Sequence, residues 1–94
     1  MTTITVRIPA PLRSHTQGMD EVRVIGSCVA DALSSLGTVH DGLLPRVLTP
    51  EGEPRQFVNI FLGSRNIRAL QGMATPVIEG DVISIVPAVA GGTS

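Results

Sequence analysis

The stretch that decides the fold is "EVRVIGSCVADALSSLG", Glu21 to Gly37, because its hydrophobic period changes part-way along. Val22 and Val24 alternate with charged residues, the period of a strand with one buried face. Val29, Ala32, Leu33 and Leu36 then recur at i, i+3, i+4 and i+7, which puts them on one side of a helix. Ser27 is of a type that caps a helix N-terminus, Asp31 falls early in the helix, and Gly37 suits a C-terminal stop. The apolar side of this helix has to lie on a sheet, so the remaining strands are to be found on its flanks.

Upstream, "TITVRIP" alternates through Ile4, Val6 and Ile8, and Pro9 ends it; "APLRSHTQGMD" carries turn residues, making Glu21–Ile25 the hairpin partner. Downstream the reading loosens from Thr38 to Gln56, where "GLLPRVL" suits a short helical turn and "TPEGEP" a loop. "FVNIFL" is the most strand-like run in the chain, followed by turn chemistry in "GSRN" and a short edge strand at "IRAL". "PVIEGD" reads as a turn and "DVISIVP" as a last strand rich in β-branched residues. The order is strand, strand, helix, strand, short strand, strand. One helix packed across one face of a mixed sheet of four or five strands is an α+β roll.

Composition bounds what this roll can do. Ninety-four residues make one domain, and an apolar content of 43% with only two aromatics, Phe57 and Phe61, calls for a core of Val, Ile, Leu and Ala. A net charge of -1 with seven scattered Lys and Arg gives no basic stripe for nucleic acid and no patch for an anionic membrane. The single cysteine points to a reducing compartment. The N-terminal Met1-Thr2-Thr3-Ile4 does not read as a secretory signal, and no apolar run nears the ~20 residues of a membrane span, so a cytoplasmic domain is expected.

Constellations for catalysis are missing. His15 and His40 are distant in sequence, with no second cysteine and no acidic pair at ligand spacing, so no bound metal is expected. Phosphate-loop and dinucleotide fingerprints are absent, so neither is a bound cofactor. Cys28 falls in the first turn of the helix, where the dipole favours a thiolate, but no base is evident nearby and core packing is the expected role, with reactivity the alternative. The expectation is a protein that is not an enzyme.

The remaining feature is the ending, "IVPAVAGGTS". Pro87 cannot donate to a ladder, so pairing should stop there. Ala88, Val89, Ala90, Gly91 and Gly92 have little to bury, which suggests an arm reaching about 16 Å at ~3.3 Å per residue. Lacking Cβ atoms, Gly91 and Gly92 can thread a narrow channel and expose the Gly92 carbonyl to another protein's active site. A merely ragged terminus is the competing reading.

"VIEGDVISIVPAVAGG", residues 77–92, resembles the terminal signature of the ThiS/MoaD family of ubiquitin-like sulfur carriers: an acidic Gly-Asp turn, a last strand, a proline and a di-glycine. "ITVRIPAPLRSHTQG" and "FVNIFLGSRNIR" are similar to its first strand and central strand. Within that family the middle loop and the AVAGG ending look closest to carriers serving cysteine or methionine biosynthesis or siderophore sulfur insertion. The resemblance implies a β-grasp fold over residues 1–87, a tail over 88–92 and a removable extension over 93–94.

It also implies a chemistry. An E1-like enzyme, using its own ATP and a sulfur donor, adenylates the terminal glycine carboxylate and converts it to a thiocarboxylate, and a biosynthetic enzyme (cysteine-synthase-like or of the methionine pathway) takes the sulfur. The reacting group here is Gly92. Because Thr93 and Ser94 follow it, Gly92 is an amide until a JAMM-type zinc protease cuts between Gly92 and Thr93. A protein modifier conjugated through Gly92, and the small subunit of a molybdopterin-synthase-like complex, are the alternatives; a monomer is expected when free. In a β-grasp domain the sheet face away from the helix is open. Strand parity puts Ile4, Val6, Ile8, Val58, Ile60, Leu62, Ile83 and Ile85 in the core with Leu33 and Leu36. It puts Phe57, Asn59, Phe61, Ser84 and Val86 on the open face as a partner-docking patch, with Arg65 and Arg68 as electrostatic help.

Overall fold

A computed structural model describes residues 2–87. Among these, β1 (Thr3–Arg7) and β2 (Glu21–Ile25) form the expected antiparallel hairpin, with Ile4, Val6, Val22 and Val24 buried and Arg7, Glu21, Arg23 and Ile25 facing out. Their connection is more ordered than its turn residues suggest. Ala10–Thr16 winds into a 3-10 segment entered through Pro9, and the buried Thr16 hydroxyl, 2.8 Å from the Met19 carbonyl oxygen, closes it.

Helix α1 runs over Val29–Val39 and buries Val29, Ala32, Leu33 and Leu36, the stripe read from the period. Its ends differ from expectation. Cys28, not Ser27, is the N-cap residue and offers no side-chain cap. Ser27 sits one step outside, where its N–H donates to Asp31 Oδ2 at 3.0 Å, so the acid reaches back to the residue expected to cap. Gly37 does not stop the helix, which continues two residues further to Val39. The glycine is needed for clearance instead: a Cβ there would collide with the Leu44 side chain, whose Cγ would lie 2.8 Å away.

The segment read as loose contributes to the core. After α1 the chain makes a single helical turn, α2 (Leu44–Val47), and Leu43 and Val47 are both fully buried against the main cluster. Strand β3 (Val58–Leu62) follows, then β4 (Arg65–Asn66). The short edge strand therefore precedes "IRAL", whose Ile67–Ala69 forms a 3-10 turn that the Asn66 side chain caps by accepting from the Arg68 N–H. Leu62, expected in the core, is only half-buried because it closes β3 at the β3–β4 turn.

The last strand, β5 (Val82–Pro87), takes the central place in a sheet ordered β2-β1-β5-β3-β4. It runs parallel to β1 and antiparallel to β3, so the sheet is mixed and α1 crosses one face, an α+β roll. The Gly-Asp turn before β5 fixes its register. Gly80, at φ +87°, allows the reversal, and Asp81 Oδ2 accepts from the Ile78 N–H at 2.9 Å. Glu79 Oε1 accepts from Thr3 N–H, Gly80 N–H donates to the Thr3 carbonyl, and the Asp81 carbonyl accepts from Thr5 N–H. Three successive residues of the turn are thus stapled to the start of β1.

Candidate functional site: the root of the last strand

Register sorts the two faces of the sheet. Residues directly opposite one another share a face, so Val58↔Pro87, Ile60↔Ile85 and Leu62↔Ile83 point toward α1. The open face carries Asn59 opposite Val86, and Phe61 opposite Ser84. Across the sheet, Glu21, Arg7, Ser84, Phe61 and Asn66 make one continuous row. Four of the five residues assigned to a docking face are therefore brought together on the strand that leads to the tail. Phe57 is not in this ladder: it lies in the turn before β3, closed by Val58 N–H donating to the Arg55 carbonyl, and is 53% exposed. Phe61 is half-buried and Val86 is 43% exposed, so the apolar patch is narrower than two open phenyl rings.

A polar cluster borders that patch, and sequence reasoning saw only part of it. Asn59 Oδ1 accepts from Asn66 Nδ2 at 3.3 Å and from Arg68 Nη1 at 3.4 Å, while Arg68 Nη2 lies 3.5 Å from the Val58 carbonyl. Arg68 is thus folded onto β3 beside the root of the tail, whereas Arg65 is exposed on the edge strand. Asn66 gave no signal alone, because its place opposite Phe61 depends on the β3–β4 register. On the other side of β5, Arg7, Ile8, Pro9 and Arg13 face Ser84, Ile85 and Val86 across a groove of about 280 Å³. Neither arginine stood out in the sequence.

Other candidate residues lie elsewhere. Cys28 is half-buried and pairs in an isolated bridge with Pro76, away from the open face. His15 is folded against the loop after α1, where its Nδ1 would meet a Cβ on Gly42 at 3.4 Å. Among the described residues no group of three or more His, Cys, Asp and Glu side chains gathers, and no helix is long and apolar enough to cross a membrane. Ala88, Val89, Ala90, Gly91, Gly92 and the Gly92–Thr93 bond lie outside the described residues.

Compared with known proteins, residues 6–92 match the model of the ThiS family. The chain belongs to the ThiS family. As a ThiS-family chain it is 37% identical over 91 residues to the sulfur carrier protein CysO of Mycobacterium tuberculosis, covering 95% of this chain and 98% of that one. The Amycolatopsis orientalis BexX/CysO complex contains a chain that superposes with a TM-score of 0.89 at 34% identity, over 95% and 99% of the two chains. Small archaeal modifier protein 1 from Methanosarcina acetivorans superposes at 0.85 with 31% identity, over 98% of each. These likenesses make the α+β roll a ubiquitin-like β-grasp. The family match also spans the open-face residues and ends on Gly92.

Proposed function

We propose that this chain is a sulfur carrier, a protein co-substrate whose Gly92 carboxyl is the reacting group. The observation that carries the reading is where the family match stops. It takes in β5 and ends at the second glycine, leaving Thr93 and Ser94 outside. The relatives named as sulfur carriers, matched over nearly their whole length, support the same reading.

The chemistry has an order. A zinc protease of the JAMM type hydrolyses the Gly92–Thr93 amide and frees a carboxylate. An E1-like partner brings ATP; the carboxylate attacks the α-phosphorus, and pyrophosphate leaves. A sulfur donor then attacks the acyl carbon of Gly92, AMP departs, and a thiocarboxylate remains. A biosynthetic enzyme, of the cysteine-synthase or methionine-pathway kind, accepts that sulfur. The chain's own part is to hold the tail at the end of a central strand and to present Phe61, Ser84, Asn59 and Val86 beside it. ATP and zinc belong to the partners.

Intact-mass spectrometry in host extract with ATP and sulfide tests this. The expected product has lost Thr-Ser and exchanged one carboxyl oxygen for sulfur. Thiocarboxylation of a chain still ending in Ser94 would sink the precursor scheme. A second reading, a modifier conjugated to lysines through Gly92, is favoured by the likeness to small archaeal modifier protein 1. High-mass conjugates on a denaturing gel, with no thiocarboxylate on the free chain, would favour it.

A further inference from the structure

The groove on the β1 side of β5 has the chemistry of a docking notch for an acidic segment. It exists because β1 leaves the sheet early. The β1–β5 pairing covers Thr5↔Val82, Val6↔Ile83 and Arg7↔Ser84, and stops there. Thr5 N–H donates to the Asp81 carbonyl on the β1 side, while the Val82 carbonyl turns the other way and accepts from Gly63 N–H. Carbonyls at odd positions of β5 therefore face β1. Carrying the same stagger along, Arg7 is the donor facing Ile83 and Pro9 the one facing Ile85. Pro9 has no N–H, so the ladder has no donor for the Ile85 carbonyl. Outside the ladder, no described residue donates to it.

Two guanidinium groups line the same notch. Arg13 Nε is committed to the Ile8 carbonyl at 3.1 Å, which fixes the side chain, and its terminal nitrogens have no hydrogen-bond partner among the described residues. Arg7 Nε lies 3.8 Å from Glu21 Oε2, a loose and solvent-exposed pair that a better-placed carboxylate can displace. Val86, on the rim, is the last residue but one before the tail region begins. The geometry points to an extended, carboxylate-bearing segment of a partner protein as the occupant. Its carboxylates pair with Arg7 and Arg13, and a backbone N–H completes the Ile85 carbonyl, as in strand addition to a sheet edge. This rests on the carrier reading for the partner's identity, the adenylating enzyme, and adds how that enzyme grips the tail's root from the side opposite Arg68.

Binding of the full-length chain to that enzyme, measured by calorimetry, tests the notch without requiring turnover. Arg7→Glu and Arg13→Glu are each expected to weaken binding by about fivefold or more at low salt, with the gap shrinking at high ionic strength. Arg23→Glu makes the same charge change two residues along the open face, opposite Thr5, and should alter binding less than about twofold. Arg7→Lys should retain most of the affinity. If Arg13→Glu disrupts the 3-10 segment, Arg7→Glu alone decides. Equal losses for Arg7→Glu and Arg23→Glu, or none for either, would overturn the notch while wild-type adenylation left the carrier reading standing. A change in the sedimentation of the isolated chain on Arg7→Glu would make the occupant a second copy, and would overturn it as well. Wild-type chain, trimmed to Gly92, that is never adenylated would fail the carrier reading instead.

Discussion

The two faces of the sheet are made by the same strands and obey opposite rules. Toward α1, Ile4, Val6, Ile60, Ile83 and Ile85 are all almost fully buried, in one apolar cluster with the helix residues and with Leu43 and Val47. Away from it, Arg7, Ser84, Phe61, Asn59 and Val86 alternate charge, hydroxyl, ring and amide over the same length of backbone. Side chains that differ by one position in sequence therefore have unrelated duties. One face buries β5 in the core, and the other leaves a polar and aromatic surface beside it. The difference teaches that position in the pleat, more than residue type, separates the side chains that make the core from those left for the proposed docking face.

The separation can be broken in a graded way. The largest effect is expected at neither face but at the tail: a chain in which the Gly92–Thr93 bond is made uncleavable should fold normally and yield no thiocarboxylate, read by intact mass. Next come the buried positions. Ile83→Ala removes a fully buried side chain from the central strand and should cost about 2–5 kcal/mol in urea unfolding, a large share of the ~5–15 kcal/mol available to a domain. Gly26→Ala puts a Cβ 2.6 Å from the Ala32 backbone nitrogen, a contact no rotamer relieves, and should cost about 1–3 kcal/mol by the same measurement. Phe61→Ala, on the open face, should weaken binding of the activating partner by about tenfold while unfolding shifts less than for Ile83→Ala. If it unfolded the chain as severely as Ile83→Ala, the division between faces would fail. The smallest change is expected for Glu21→Gln: its pair with Arg7 is exposed, and its loss should move stability by less than about 1 kcal/mol.

Much of this was legible in the residues, because periods are local. The alternation of Ile4, Val6 and Ile8 and the spacing of Val29, Ala32, Leu33 and Leu36 each reported their own buried side, and four open-face residues followed from parity. What escaped depended on distant neighbours. Leu43 and Val47 lie in a stretch with two prolines nearby and no sustained period, so only the space beside α1 shows that they are core. Gly37 read as a stop because glycine usually is one; the side chain of Leu44 gives it another purpose. Asn66 reaches Asn59 only through a two-residue strand, too short to leave a pattern. Arg7 and Arg13 line one notch at the point where Pro9 has no N–H to offer, and no composition count reveals that.

The central position of β5 has a mechanical consequence. A partner that draws the tail into its own channel pulls along the axis of β5, lengthwise to the ladders on both sides. Such a load shears the β1 and β3 ladders together instead of unzipping one bond at a time. The Glu79–Asp81 staple to Thr3 and Thr5 lies at the far end of the strand and resists the same slip. On the sulfur-carrier proposal, the strand that leads into the tail is thus placed where such tension would be shared by the whole sheet.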